Sequence, residues 1–222
     1  MEDKRVTTRV ITIDGPAGGG KSTVARLLAK RLGVDFLDTG AMYRAAALLG
    51  IRQKVDWDDP QSLVDLVRNH EIVNRFGKTT IDGDDVSEAI RTTEVTGLTH
   101  FAADNPDIRE LMVELQRRCA VGHSLVTEGR DQGSVVFPNA YRKFYLTASA
   151  MERARRRAED LRSRGENPDV EELQRQILLR DQRDSQREVG PLRVPDGAIV
   201  IDSSALSVDQ VVEKMYQLSY QV

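Results

Sequence analysis

The residues best suited to chemistry stand near the start of the chain. Gly15-Pro16-Ala17-Gly18-Gly19-Gly20-Lys21-Ser22 fits the pattern G-x-x-x-x-G-K-[ST] in full. Glycines let successive backbone N–H groups turn inward around phosphate oxygens. A helix beginning near Lys21 adds its positive end. Lys21 can reach the β and γ phosphates of ATP, and Ser22 can ligate Mg²⁺. Thr23 follows in the same first helical turn. The same residues could form a turn that binds nothing. The β-branched run Val10–Ile13 before them and the helix formers Lys21–Leu32 after them supply the context of a phosphate-binding loop.

A second set of residues could hold a second anion. Eleven arginines and no lysine lie between Arg153 and Arg193. Guanidinium forks suit phosphate oxygens bidentately and stay charged. Acidic residues are interleaved, so Arg153, Arg155, Arg156 and Arg157 read equally well as a solvated helix face. Arg180, Arg183, Asp184 and Arg187 recur at i, i+3, i+4 and i+7, one face of a helix. Arg44 follows Asp38-Thr39-Gly40 on the first turns of another helix. Glu128-Gly129-Arg130-Asp131 follows the apolar run Leu125–Thr127, and Gly129 permits a turn that presents Arg130 and Asp131.

The elements that must position these groups alternate. Val10–Ile13, Val34–Leu37, Ser124–Thr127, Lys143–Leu146 and Ala198–Ile201 read as strands. Lys21–Leu32, Tyr43–Leu49, a stretch after Asp59-Pro60, Ile108–Ala120 after Asn105-Pro106, and Val170–Gln182 read as helices. Ser149 with Glu152 and Ser207 with Gln210 read as capping boxes opening two more. Glu71–Phe76, Lys78–Ile81 and the Asp82-Gly83 turn predict a small β insertion at about residues 69–91. Such alternation predicts an α/β fold, a parallel sheet covered on both faces. Ligands then bind at the carboxyl ends of the strands, where the glycine-rich loop, Asp38-Thr39-Gly40 and Glu128–Asp131 converge.

Composition narrows the function. The formal net charge is −3, so no global basic excess points to nucleic acid. The aromatic residues form no base-stacking series. Cys119 is the only cysteine, which excludes an intramolecular disulfide and a cysteine zinc site, and it reads as an inert core thiol. The three histidines, His70, His100 and His123, show no ligand spacing, and His70 and His123 read as ordinary surface or core residues. No apolar run approaches membrane-spanning length, and the polar N-terminal stretch lacks a signal peptide's apolar core. The expectation is a cytoplasmic protein that binds small molecules. An Asn-Lys-x-Asp guanine signature is absent, which disfavours a GTPase switch.

In the segments ITIDGPAGGGKST, FLDTGAMYRAA, IDGDDVSEAIRTTEV, EGRDQGSVVFPNA, RDQRDSQREVGPL and IDSSALS the sequence resembles the bacterial cytidylate kinases. The six segments are collinear and span about residues 10–207. The resemblance implies a P-loop nucleoside monophosphate kinase: one kinase domain over 1–222, with a core of about 8–60 and 102–222. It implies a nucleotide-binding insertion with a small antiparallel sheet at about 61–101, and an arginine-rich lid at about 155–168. ATP with Mg²⁺ is the implied donor and CMP or dCMP the implied acceptor. Thr39, Arg44 and Arg130 would hold the acceptor phosphate. Arg109 and Asp131 would read the cytosine edge, Arg180 and Asp184 the ribose hydroxyls, and Arg187 the phosphate near the transferring group. Lys21, Arg130 and Arg187 are the implied catalytic residues, and a monomer is the default. The family usually has a serine where this chain has His100. Two other readings share the glycine-rich loop: a P-loop kinase for a different small acceptor, and an ATP-binding regulatory module without turnover.

Overall fold

The computed structural model describes residues 8–163 and 165–220. Arg164 and most of the polar N-terminal stretch therefore lie outside the described residues. In chain order the elements begin β1 (Val10–Asp14), α1 (Lys21–Leu32), β2 (Asp35–Asp38), α2 (Thr39–Gln53) and α3 (Pro60–Arg68). Next come β3 (Ile72–Arg75), β4 (Lys78–Ile81), β5 (Asp84–Asp85), α4 (Thr93–Ala103) and α5 (Pro106–Cys119). The chain continues through β6 (Leu125–Gly129), β7 (Arg142–Thr147), α6 (Ala150–Arg162), α7 (Val170–Gln186), β8 (Ile199–Asp202) and α8 (Val208–Tyr220).

β1, β2, β6, β7 and β8 form one parallel sheet in the order β2-β6-β1-β7-β8. Alternate strand residues point to opposite faces. Phe36 and Val126 join Ile11, Ile13, Phe144, Leu146 and Ile201 in a core with α1 and α8. Leu37 and Leu125 join the opposite core, built with α2, α3 and α5. The sheet is thus covered on both faces, as the alternation of elements predicts. β3, β4 and β5 make a separate antiparallel sheet. Its two turns place Phe76-Gly77 and Asp82-Gly83 at positive φ, the conformation of tight hairpin loops.

The structure extends several elements beyond their expected limits. α2 begins at Thr39 rather than Tyr43, because the Asp38 carboxylate accepts the Ala41 N–H and caps it directly at the strand end. α7 runs on to Gln186. α4 has no counterpart in the sequence reading. Its residues TEVTGLTHFAA carry β-branched side chains and a central Gly97, so propensity and periodicity are both weak. Thr92 caps it, and packing against α2 holds it. At Ser207 both bonds of the capping box form. At Ser149 only one does: Glu152 turns to Arg156, and the Ser149 N–H donates to Ser204 instead. Cys119 is half-buried against the α2 core, where burial raises its thiol pKa, as expected of an inert thiol.

Candidate active site

The glycine-rich loop leaves the carboxyl end of the central strand and enters α1. Gly15, Gly18 and Gly20 all have positive φ. Gly15 cannot be replaced without moving the sheet, since a Cβ there would lie 2.0 Å from the Leu146 carbonyl oxygen. Gly20 caps α1, whose first turn carries no acidic residue, so the positive helix end is left for an anion. Lys21 is buried and donates to the Pro16 carbonyl at 2.7 Å. Burial, then the Arg130 charge, pushes its pKa down to about 7; Arg180 adds to this, while Glu128 and Asp184 oppose it. The Ser22 hydroxyl donates to Glu128 Oε1 at 2.9 Å. A hydroxyl and a carboxylate side by side at a helix N-terminus are hard oxygen donors of the kind Mg²⁺ takes. Thr23 is exposed in the same turn.

Thr39, Arg44, Arg109, Arg130, Asp131, Arg180, Asp184 and Arg187 come from α2, α5, the turn after β6, and the end of α7. All eight line a single cleft of about 490 Å³. α4 closes its other side with Thr96, Thr99 and His100. Thr39 is fixed by donating to the Glu128 carbonyl at 2.7 Å. Arg44 lies 3.6 Å from the Asp38 carboxylate, and its buried Nε has no hydrogen-bond partner. A buried guanidinium N–H with no acceptor is costly unless an anion arrives.

Asp184 organises the arginines. It is 1% exposed, accepts from Arg130 Nε at 2.7 Å, and pairs with Arg187 at 2.6 Å. Burial alone would raise its pKa, but Arg130, Arg187 and Arg180 outweigh burial and hold it below the usual carboxylate range. Arg187 also donates to Asp104 at 2.8 Å. Arg180 and Arg183 line the cleft exposed, with no ion pair among the described residues.

Arg109 and Asp131 form a buried pair at 2.5 Å. Further donors of Arg109 go to the carbonyls of Val189 and Ala103. Gly190 lets the following loop close over the pair, since a Cβ there would lie 2.1 Å from the Asp131 carboxylate. His100 is exposed at the rim, bonded through Nδ1 to the Gly97 carbonyl and packed at a tilt against Phe101.

Several residues here had no role in the sequence reading. Asp14 accepts the N–H groups of Gln132 and Gly133 at 2.7 and 2.8 Å, bracing the one-turn π-helix Gln132–Val136 against β1. Burial lifts its pKa to about 7 despite those two bonds. Asp38 is likewise raised, by burial and then by the Glu128 charge. Glu128 was visible inside Glu128-Gly129-Arg130-Asp131, but only its position beside Ser22 gives it a task. Arg153 and Arg156, three apart, turn inward. Arg153 is buried against the glycine-rich loop, and Arg156 bonds Ser203 at the end of β8. Arg155 and Arg157 stay exposed. His70 and His123 sit at the surface, paired with Asp82 and Arg75.

A phosphate cradle at the carboxyl end of a parallel sheet, with an arginine-lined cleft beside it, defines a P-loop kinase for a small acceptor. A gluconokinase from Sinorhizobium meliloti has the same fold, with a TM-score of 0.50 at 13% identity, covering 97% of this chain and 93% of that one. The family model "Cytidylate kinase" matches residues 11–221. A cytidylate kinase of Rhodopirellula baltica is 46% identical over 209 residues, 94% of this chain and 91% of its own. One from Caldanaerobacter subterraneus is 45% identical over 207 residues, 93% and 92% of the two chains. This chain belongs to the cytidylate kinase family.

Proposed function

We infer that this chain transfers the γ-phosphoryl group of ATP to CMP, and to dCMP, giving CDP or dCDP and ADP. The observation that carries this reading is the single cleft in which an arginine cluster and a buried Arg–Asp pair meet, with Glu128 at its wall bonded to Ser22 of the phosphate loop. The acceptor oxygen already carries negative charge, so no strong base is needed. The work is to align two polyanions and to offset the charge on the transferring group.

Residue roles follow from chemistry and position. Residues 15–23 hold the ATP phosphates. Lys21 sits where a β/γ oxygen can replace its contact with Pro16. Thr39, Arg44 and Arg130 take the CMP phosphate, and the unsatisfied Nε of Arg44 supplies an N–H aimed at no protein atom. Arg187, which shares Asp184 with Arg130, takes the phosphate near the transferring group. Arg180 and Asp184 take the ribose hydroxyls, while Asp131, oriented by Arg109, reads the base amino edge. Mg²⁺ would be held by Ser22, with the Glu128 carboxylate beside it, and would supply positive charge to offset that of the donor phosphates. The insertion at 61–101 and the lid at 155–168 would close over the two nucleotides and exclude water. A monomer in the cytoplasm is the assembly and location we propose. Among the described residues no helix is long and apolar enough to cross a membrane.

ADP release is the test, with MgATP and CMP, dCMP, UMP, AMP or GMP one at a time. The expected result is strong turnover with CMP and dCMP and weak turnover with the others. Turnover led by UMP or a purine would overturn the base assignment, and His100→Ser would then be the first variant to compare.

A further inference from the structure

The glycine-rich loop is gripped from outside by α6 and α7. Ala17 is buried in the middle of that loop. Its N–H donates to Asp181 Oδ1 at 2.8 Å, and its carbonyl accepts from Arg153 Nη1 at 2.8 Å. Asp181 and Arg153 are themselves paired at 2.5 Å. Arg153 also donates to the Ala148 carbonyl at 3.0 Å and is 5% exposed. Gly18 follows at positive φ, and a Cβ there would only touch the Arg153 side chain and Ile177, each at 3.4 Å. Both polar groups of one loop residue are therefore held by side chains of α6 and α7.

Asp181 follows Arg180 and precedes Asp184 by three residues, and both of those line the acceptor cleft. One turn of α7 thus touches the donor loop on one side and the acceptor clamp on the other. A helix is stiff, with a fixed rise of about 1.5 Å per residue. We propose that Asp181 is a positioning residue that locks the donor loop to the acceptor clamp through α7, setting the separation of the two phosphates.

The chemistry of the latch fits that task. A carboxylate beside a polyphosphate loop is adverse unless neutralised, and Arg153 neutralises it. Turning the Ala17 N–H outward leaves the later amides of the loop free to face phosphate. Glutamate keeps the charge but lengthens the reach by one methylene. Asparagine keeps the acceptor for Ala17 N–H and loses the ion pair.

This inference rests on the phosphotransfer reading above, and wild-type enzyme must first show CMP-dependent ADP release. Absence of that turnover would sink the phosphotransfer reading itself, before any variant is compared. The experiment measures kcat, both KM values, and ADP released per CDP formed, for Asp181→Ala, Asp181→Glu and Asp181→Asn. Melting temperature confirms the fold of each, and the isosteric Asp181→Asn carries the test if Asp181→Ala does not fold. A misalignment on the scale of 1 Å costs about 10²-fold in rate. The expected result is a kcat loss of about that size in Asp181→Ala and Asp181→Glu. KM for CMP stays within about threefold, and ADP released per CDP rises above one. Asp181→Asn recovers part of the loss. Unchanged kcat in a folded variant would overturn the proposal. So would a loss confined to the KM for ATP with one ADP per CDP, because that is the signature of a loop that merely binds more weakly.

Discussion

At the scale of single residues, Lys21 is the most informative group. Burial and Arg130 push its pKa down to about 7. Bound phosphates reverse the balance, so Lys21 becomes fully charged. At pH 8, MgATP binding should therefore draw a proton onto the enzyme, and affinity should fall as pH rises above 7. Calorimetry in buffers of differing ionisation enthalpy reads that proton. The uptake should vanish in Lys21→Met, and equal uptake in both proteins would refute it. Lys21→Ala should also lower kcat/KM by about 10³-fold or more, the size of loss such preorganised donors supply. Near-normal turnover in folded Lys21→Ala would remove Lys21 from the mechanism. Gly190 makes a different point. Gly190→Ala must displace Asp131 and Arg109, since its Cβ would lie 2.1 Å from the Asp131 carboxylate. The expected outcome is a loss of at least about tenfold in kcat/KM for CMP with KM for ATP little changed. A fully active Gly190→Ala would mean the Arg109–Asp131 pair does not set the acceptor site.

At the scale of elements, the π-turn after β6 depends on one buried carboxylate. Asp14 has a folded pKa near 7 and an ordinary value of 3.8. Between those values the native state binds more protons than the unfolded chain, so this group lowers stability as pH rises from about 4 to 7. Melting temperatures of wild type and Asp14→Asn should thus diverge in slope across that window, wild type falling relative to the variant. Parallel curves would show that Asp14 does not titrate there. This element was not legible in the sequence, because Gln132–Val136 carries no periodicity. The bonds that shape it come from Asp14, more than a hundred residues earlier. α4 was illegible for a related reason: tertiary packing on α2 overrides the poor helix propensity of its β-branched residues and glycine. The central strands and α1 were legible because their apolar residues alternate or recur at helical spacing and glycines mark their ends. Of the arginine-rich stretch, charge alone could not separate Arg153 and Arg156, which bond backbone, from Arg155 and Arg157, which face solvent. Asp181 stayed hidden because its partners, the Ala17 amide and Arg153, come from other elements and leave no pattern around it in the sequence.

At the scale of the whole molecule, one sheet brings three distant segments to the same edge. The strand order puts β1 between β6 and β7, so the donor loop and the Glu128–Asp131 turn are neighbours by construction. α7 then spans the two sites. If α4 and the α6–α7 junction close over both nucleotides, CMP with a non-hydrolysable ATP analogue should slow amide exchange there more than either ligand alone. Protection that is merely additive would argue for two independent pockets. The most direct test of the account follows the phosphorus atom itself. ATP labelled at the γ position is incubated with the enzyme, Mg²⁺ and CMP, and the label is located. The account predicts that it appears in the β-phosphate of CDP, in step with ADP, and that little is released as inorganic phosphate. Label released as inorganic phosphate regardless of CMP, or left in ATP while the protein binds both nucleotides, would contradict it.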